Sequence, residues 1–316
     1  MGSLVGHVLP GFAFLALGLW HLFNNIKLFC LHPNTFNSST WFPISKLRHL
    51  ELYLIMLSSS ASISMELFIG PRRHHPFDID GTIPSNHLRN FEHSSISMSF
   101  LVYAAFALVL DRARPKAATS EGLTLLAAAA AFTQQLILFH FHSTDHMVLE
   151  GQYHLILQLI IFVSLLTTLM GIVLPKSFLV SFVRSSSISF QGVWLILMGF
   201  MLYTPSLIPK GCSIHDEERH LVVKCSTEEA LHRAKSLVNI EFSWLFVTNT
   251  IFVIIYTIFD SRSCLRRKRR VLEYSSLIIS YQPEQDDEEE QHLVSKSTQK
   301  TSFVQMGKLV GHGQKM

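Results

Sequence analysis

Seven stretches of consecutive, predominantly apolar residues dominate this sequence, at 4–27, 47–69, 91–110, 123–141, 148–174, 188–208 and 240–259. Each is close to the roughly 20 residues that a helix needs to cross the hydrocarbon core of a bilayer. Lipid offers no hydrogen-bond partner to an open backbone, so a spanning segment is either a helix or a strand of a closed barrel. A barrel strand alternates apolar and polar residues over about ten positions. These blocks are apolar at successive positions, so the chain reads as an all-α integral membrane protein, a bundle of seven transmembrane helices.

Charge is sparse, at 16% of residues, and the net charge of +3 is small. The basic residues stand between the apolar blocks and after the last, which argues against a groove for nucleic acid. The first block has no basic start and is too long for a signal-peptide core, so it reads as a retained helix. Gly2 is followed by Gly6 where a myristoylation pattern needs Ser or Thr.

Lys and Arg set the orientation. With the N-terminus lumenal or extracellular, the cytosolic side holds Lys27, Lys46, Arg48, Arg112, Arg114, Lys116, Lys176, Arg184, Arg262, Arg266, Arg267, Lys268, Arg269 and Arg270, fourteen in all. The other side holds eight: Arg72, Arg73, Arg89, Lys210, Arg219, Lys224, Arg233 and Lys235. The bias puts the C-terminus in the cytosol and the chain in the secretory pathway or plasma membrane. Cys212 and Cys225 then share the sixth loop on the oxidising side, as a disulfide or as two free thiols. The sequon at Asn37 falls on the cytosolic side and is expected to carry no glycan.

The chain divides into a helical domain, 1–260, and a tail, 261–316. The tail opens on the basic run 266–270 and turns acidic at 285–290. Its composition predicts a disordered cytosolic segment. The basic run serves positive-inside anchoring or contact with anionic lipid, and Cys264 stands at the boundary as a candidate for palmitoylation.

Ionisable residues inside spans are costly and call for a reason. They gather near the outer helix ends: His7, Glu66, Glu92, His93, His140, His142, Asp145, His146, Glu150, His154 and Glu241. The inner ends offer His21, His49 and Glu51. Glu150, His154 and Gln158 recur every four residues, which lines one face of a helix. Gln135 and His142 share a face of the fourth span, Glu92, Ser95 and Ser99 of the third, and Glu241, Thr248 and Asn249 of the seventh. These stripes are expected to point into the bundle and form a polar cavity in its outer half. Imidazole with carboxylate suits zinc, and copper or iron in other geometries. His140, His142, Glu150 and His154 form the expected ligand set, with Glu66, Glu92, His93, Asp145, His146 and Glu241 in support. Solvation at wet helix ends, or cross-helix pairing that only holds the bundle together, accounts for the same residues without a metal. Haem fits less well, since no two histidines form a clear facing pair.

Asp111-Arg112 at the end of the third span is similar to a motif of G-protein-coupled receptors, but the seventh span has no Asn-Pro-x-x-Tyr and the third has no outer Cys. The opening Gly2-Ser3-Leu4-Val5-Gly6-His7-Val8-Leu9-Pro10-Gly11, the later Gly18-Leu19-Trp20-His21 and the segment 139–154 resemble the transmembrane protein 45-like family. The likeness covers about residues 1–260, and Asp145-His146 with Glu150-Gly151-Gln152 is closer to its plant branch, labelled viral-response family protein. The resemblance implies a multi-pass membrane protein whose activity is not established. Three functions stay open: a metal-binding or proton- or cation-carrying bundle, an intramembrane metal-dependent enzyme acting on lipid, and a non-catalytic scaffold in stress or viral response whose protein partners would meet the tail.

Overall fold

A computed structural model of the chain describes residues 3–69, 75–113, 117–144, 149–217 and 220–280. It contains seven long helices: α1 (Leu4–Leu31), α2 (Leu50–Ser64), α3 (Leu88–Ala113), α4 (Ala117–Thr144), α5 (Leu149–Val173), α6 (Phe178–Tyr203) and α7 (Glu228–Ser280). A π-helical turn, Met65–Ile69, continues α2. Each of the seven carries a stretch long and apolar enough to cross a membrane. The chain divides into two compact units, Met1–Arg262 and Ser263–Met316. The first holds all the packing described below. The second is helical as far as Ser280, and the acidic run 285–290 lies outside the described residues.

The helix order in space departs from the order in sequence. The second to sixth helices pack each against the next, and α1 packs along α6 rather than α2. Glycine makes that last contact close. A Cβ on Gly18 would collide with the backbone of Ser189, and one on Gly192 with the backbone of Leu15. A Cβ on Gly11 would stand 2.9 Å from the Gly192 carbonyl oxygen. Small residues let two helix backbones approach in this way where apolar surroundings supply little force of their own.

The sixth helix corrects the sequence expectation. It begins at Phe178 and not near 188, and it ends at Tyr203 before the turn that Pro205 opens. The run from Arg184 through Ser189 looked like a loop because it is polar. It is helical and buried, and its serines bond within the bundle: Ser185 Oγ donates to the Ser181 carbonyl, Ser187 Oγ to that of Arg184, and Ser164 Oγ donates across to Ser187 Oγ at 2.9 Å. The stripe expected on the seventh span also holds only in part, since Thr248 is exposed.

The sixth loop carries a hairpin that the apolar pattern did not announce. Strands β1 (Cys212–Glu217) and β2 (His220–Cys225) pair antiparallel with Cys212 opposite Cys225, and a disulfide joins those two residues. Val222 and Val223 are buried, the latter in the main core with Trp194, Tyr153 and Leu157.

At the end of the bundle where α1 finishes, the segment 36–42 folds inward. Phe36, Ser38, Thr40, Trp41 and Phe42 are buried. A buried loop has to satisfy its backbone polar groups, and four elements do so. The Ser38 N–H donates to the Pro175 carbonyl at 2.7 Å. Tyr103 donates to the Thr40 carbonyl at 3.2 Å. Arg184 donates to Ser38 Oγ at 2.9 Å and to the Ser39 carbonyl at 3.3 Å. Glu51 accepts from the Phe42 N–H at 2.8 Å and from the Trp20 indole at 3.0 Å, and its other oxygen lies 2.7 Å from His21 Nε2. Glu51→Ala would strand all three of those donors in the interior, at a cost of about 3 kcal/mol or more. A fall in apparent unfolding temperature in detergent is expected, with Glu51→Gln intermediate because it keeps an acceptor oxygen. An unchanged temperature for Glu51→Ala would mean that the segment is held by its aromatic residues and its other hydrogen bonds without help from Glu51.

Candidate metal centre

At the opposite end, where α1 begins, α5 presents one buried polar face. Glu150 and His154 stand one turn apart, 8% and 1% exposed, with Gln158 a turn further on. Their burial follows from the place of α5 between α4 and α6. The α1–α6 contact then supplies a third group. Gly199 on α6 leaves room for His7, whose Cβ is 3.0 Å from where a Gly199 Cβ would be. His7 is 5% exposed.

His7, Glu150 and His154 each offer one ligand atom, and those three atoms lie within 4.8 Å of one another. Ligands at the usual zinc distances of 2.0–2.2 Å stand roughly 3.4 Å apart, so small side-chain rotations close the set around one ion. His7 Nδ1 is 3.1 Å from the Ser3 carbonyl oxygen. A carbonyl accepts only, so Nδ1 carries the proton and Nε2 is left as a donor of electrons. Metal-ligating histidines are oriented by a second hydrogen bond of this kind. The His154 ring stacks on Phe139, centroids 5.3 Å apart, and the His7 ring lies 6.2 Å from His154 and 5.3 Å from Tyr203. Rings on three sides hold both imidazoles in place.

The other site residues expected from sequence are not part of this three-residue group. His140 is exposed, with Nδ1 3.1 Å from Gln158 Oε1. The side chain of His142, and Asp145 and His146 altogether, lie outside the described residues. Glu66 is buried and accepts from the Asn90 amide at 2.9 Å, and His93, also buried, stands 6.3 Å from the Phe139 ring. Glu92 is half-buried. Glu241 accepts from the Tyr153 hydroxyl at 2.9 Å and ties α7 to α5.

The sequence placed His7 at the outer end of its span but not in the ligand set. The signal that would have found it is the small-residue spacing of Gly11, Gly18, Gly192 and Gly199, which pairs α1 with α6.

Among protein families, one described as a family of unknown function (DUF716) matches residues 121–258. The matched segment covers Glu150 and His154 and leaves out His7.

Proposed function

We propose that this chain is a multi-pass integral membrane protein that holds a transition-metal ion at His7, Glu150 and His154. The convergence of three buried ligand atoms from two helices far apart in sequence carries this reading. Imidazole and carboxylate are the donor types that transition metals take. Two nitrogens and one oxygen suit zinc, copper or iron. Three protein ligands leave a fourth position for water or substrate, the arrangement of catalytic rather than structural zinc. A bound metal would lower the pKa of that water or polarise a carbonyl or phosphoryl oxygen.

Several observations support the membrane setting. Leu57, Leu159, Leu179, Trp244 and Phe259 are exposed on helices that each carry a long apolar stretch, and lipid is the solvent that tolerates such a surface. Arg184 belongs inside α6, so it leaves the loop count. Thirteen basic residues (fourteen less one) then remain against eight, which favours a lumenal or extracellular N-terminus and puts the metal near the outer face. The unknown-function match at 121–258 fits the likeness to transmembrane protein 45-like proteins loosely, and we read the chain as a relative of that family.

Plasma mass spectrometry of protein purified in detergent without chelators is expected to find about one zinc, copper or iron per chain. His7→Ala and His154→Ala are each expected to lower metal affinity by a hundredfold or more, since loss of a hydrogen bond to a ligand alone costs about ten- to a hundredfold. His140→Ala is expected to keep the metal. Metal-free wild type, or metal retained by both histidine variants, would overturn the site.

Orientation has its own test. Asn37 is exposed, with its amide nitrogen 3.1 Å from Glu121 Oε2, so only topology keeps a glycan off it. No shift on deglycosylation is expected. A shift that Asn37→Gln abolishes would reverse the orientation and leave the metal site untouched.

A further inference from the structure

Tyr203 is the last residue of α6, and the α1–α6 contact sets its ring beside His7. Its hydroxyl oxygen is shut off from water and has no hydrogen-bond partner among the described residues. The other deeply placed tyrosines do have partners: Tyr153 donates to Glu241 and Tyr103 to the Thr40 carbonyl. An unmade hydrogen bond in the interior is destabilising, and a phenylalanine would fill the same space without that cost. A buried polar atom left over in this way points to an absent partner. The charged groups that act on the Tyr203 hydroxyl are Glu150, itself in the proposed ligand set, and Arg89.

The hydroxyl makes no hydrogen bond to His7, Glu150 or His154, so its proton is left for a further group. The Tyr203 ring lies 5.3 Å from that of His7, so the phenol stands on the His7 side of the group. We infer that the Tyr203 hydroxyl donates a hydrogen bond to the atom that occupies the metal's fourth position. This rests on the metal reading above. The ligand class it implies carries a hydrogen-bond acceptor at the coordinating atom or next to it: water, hydroxide, or the oxygen of a carboxylate, carbonyl or phosphate ester. Two fixed features would then select it, a metal that takes the lone pair and a phenol that takes the neighbouring one.

The test uses the full-length protein in detergent, loaded with cobalt(II), and azide as the probe of the open position. Cobalt uptake is read from its visible bands and azide binding from their change. The wild type is expected to bind both. Tyr203→Phe is expected to keep cobalt affinity within about threefold and to weaken azide about tenfold, the worth of one hydrogen bond. Tyr203→Leu serves the same comparison if the phenylalanine variant does not elute as the wild type does. Unchanged azide affinity would overturn the inference and leave Tyr203 as a packing residue beside an intact metal site. A fall of more than about tenfold in cobalt affinity, with altered bands, would overturn it differently, by making Tyr203 a ligand. A wild type that takes up no cobalt strikes the metal reading itself, and the inference falls with it.

Discussion

The close approach of α1 to α6 is the contact on which the rest of the molecule depends. Glycines on both helices bring the backbones within reach of each other, and no larger residue fits at Gly18 or Gly192 without colliding with main-chain atoms. The buried face of α1 runs through His7, Gly11, Gly18, His21 and Asn25. The same packing therefore delivers one imidazole to each end of the bundle, His7 toward α5 and His21 toward Glu51. A shift of α1 along α6 by one turn, about 5.4 Å, would undo both polar clusters together.

The two clusters differ in chemistry as well as in place. Around Glu51 a carboxylate accepts from an indole, a backbone amide and an imidazole, all of them fixed. One atom of that cluster, His21 Nδ1, is buried without a hydrogen bond among the described residues, and the carboxylate's three bonds seat the segment 36–42. Around His154 the ligand atoms of three residues lie within 4.8 Å of one another, one imidazole is oriented by the Ser3 carbonyl, and the Tyr203 hydroxyl beside His7 has no hydrogen-bond partner among the described residues. The proposed metal centre rests on that convergence.

Much of this was legible in the sequence, for physical reasons that also explain what was not. Apolar blocks reveal helices because each helix surface meets an apolar environment, and Glu150 and His154 reveal a shared face because helical periodicity is local. Locality is also the limit. His7 joins Glu150 through the packing of α1 on α6, which no spacing within either helix encodes. The start of α6 was hidden because Arg184 and its serines are polar, and only the inward-folded segment supplies their reason to be buried. The hairpin was hidden because two short strands held by a disulfide leave no long apolar run. Glu66 accepts from Asn90, and His93 faces the Phe139 ring on which His154 stacks, contacts between helices that spacing within one helix does not encode.

Arg184 has one more consequence. It is 4% exposed, its guanidinium is held by a hydroxyl and a carbonyl, and among the described residues no carboxylate lies within ion-pair distance of it. Its charge is therefore uncompensated at close range, in an interior that screens poorly. It sits beneath the plug formed by 36–42, at the end away from His7, Glu150 and His154. A buried guanidinium with no carboxylate near it repels other cations strongly, so the plugged end of the bundle is a place that a second positive charge avoids.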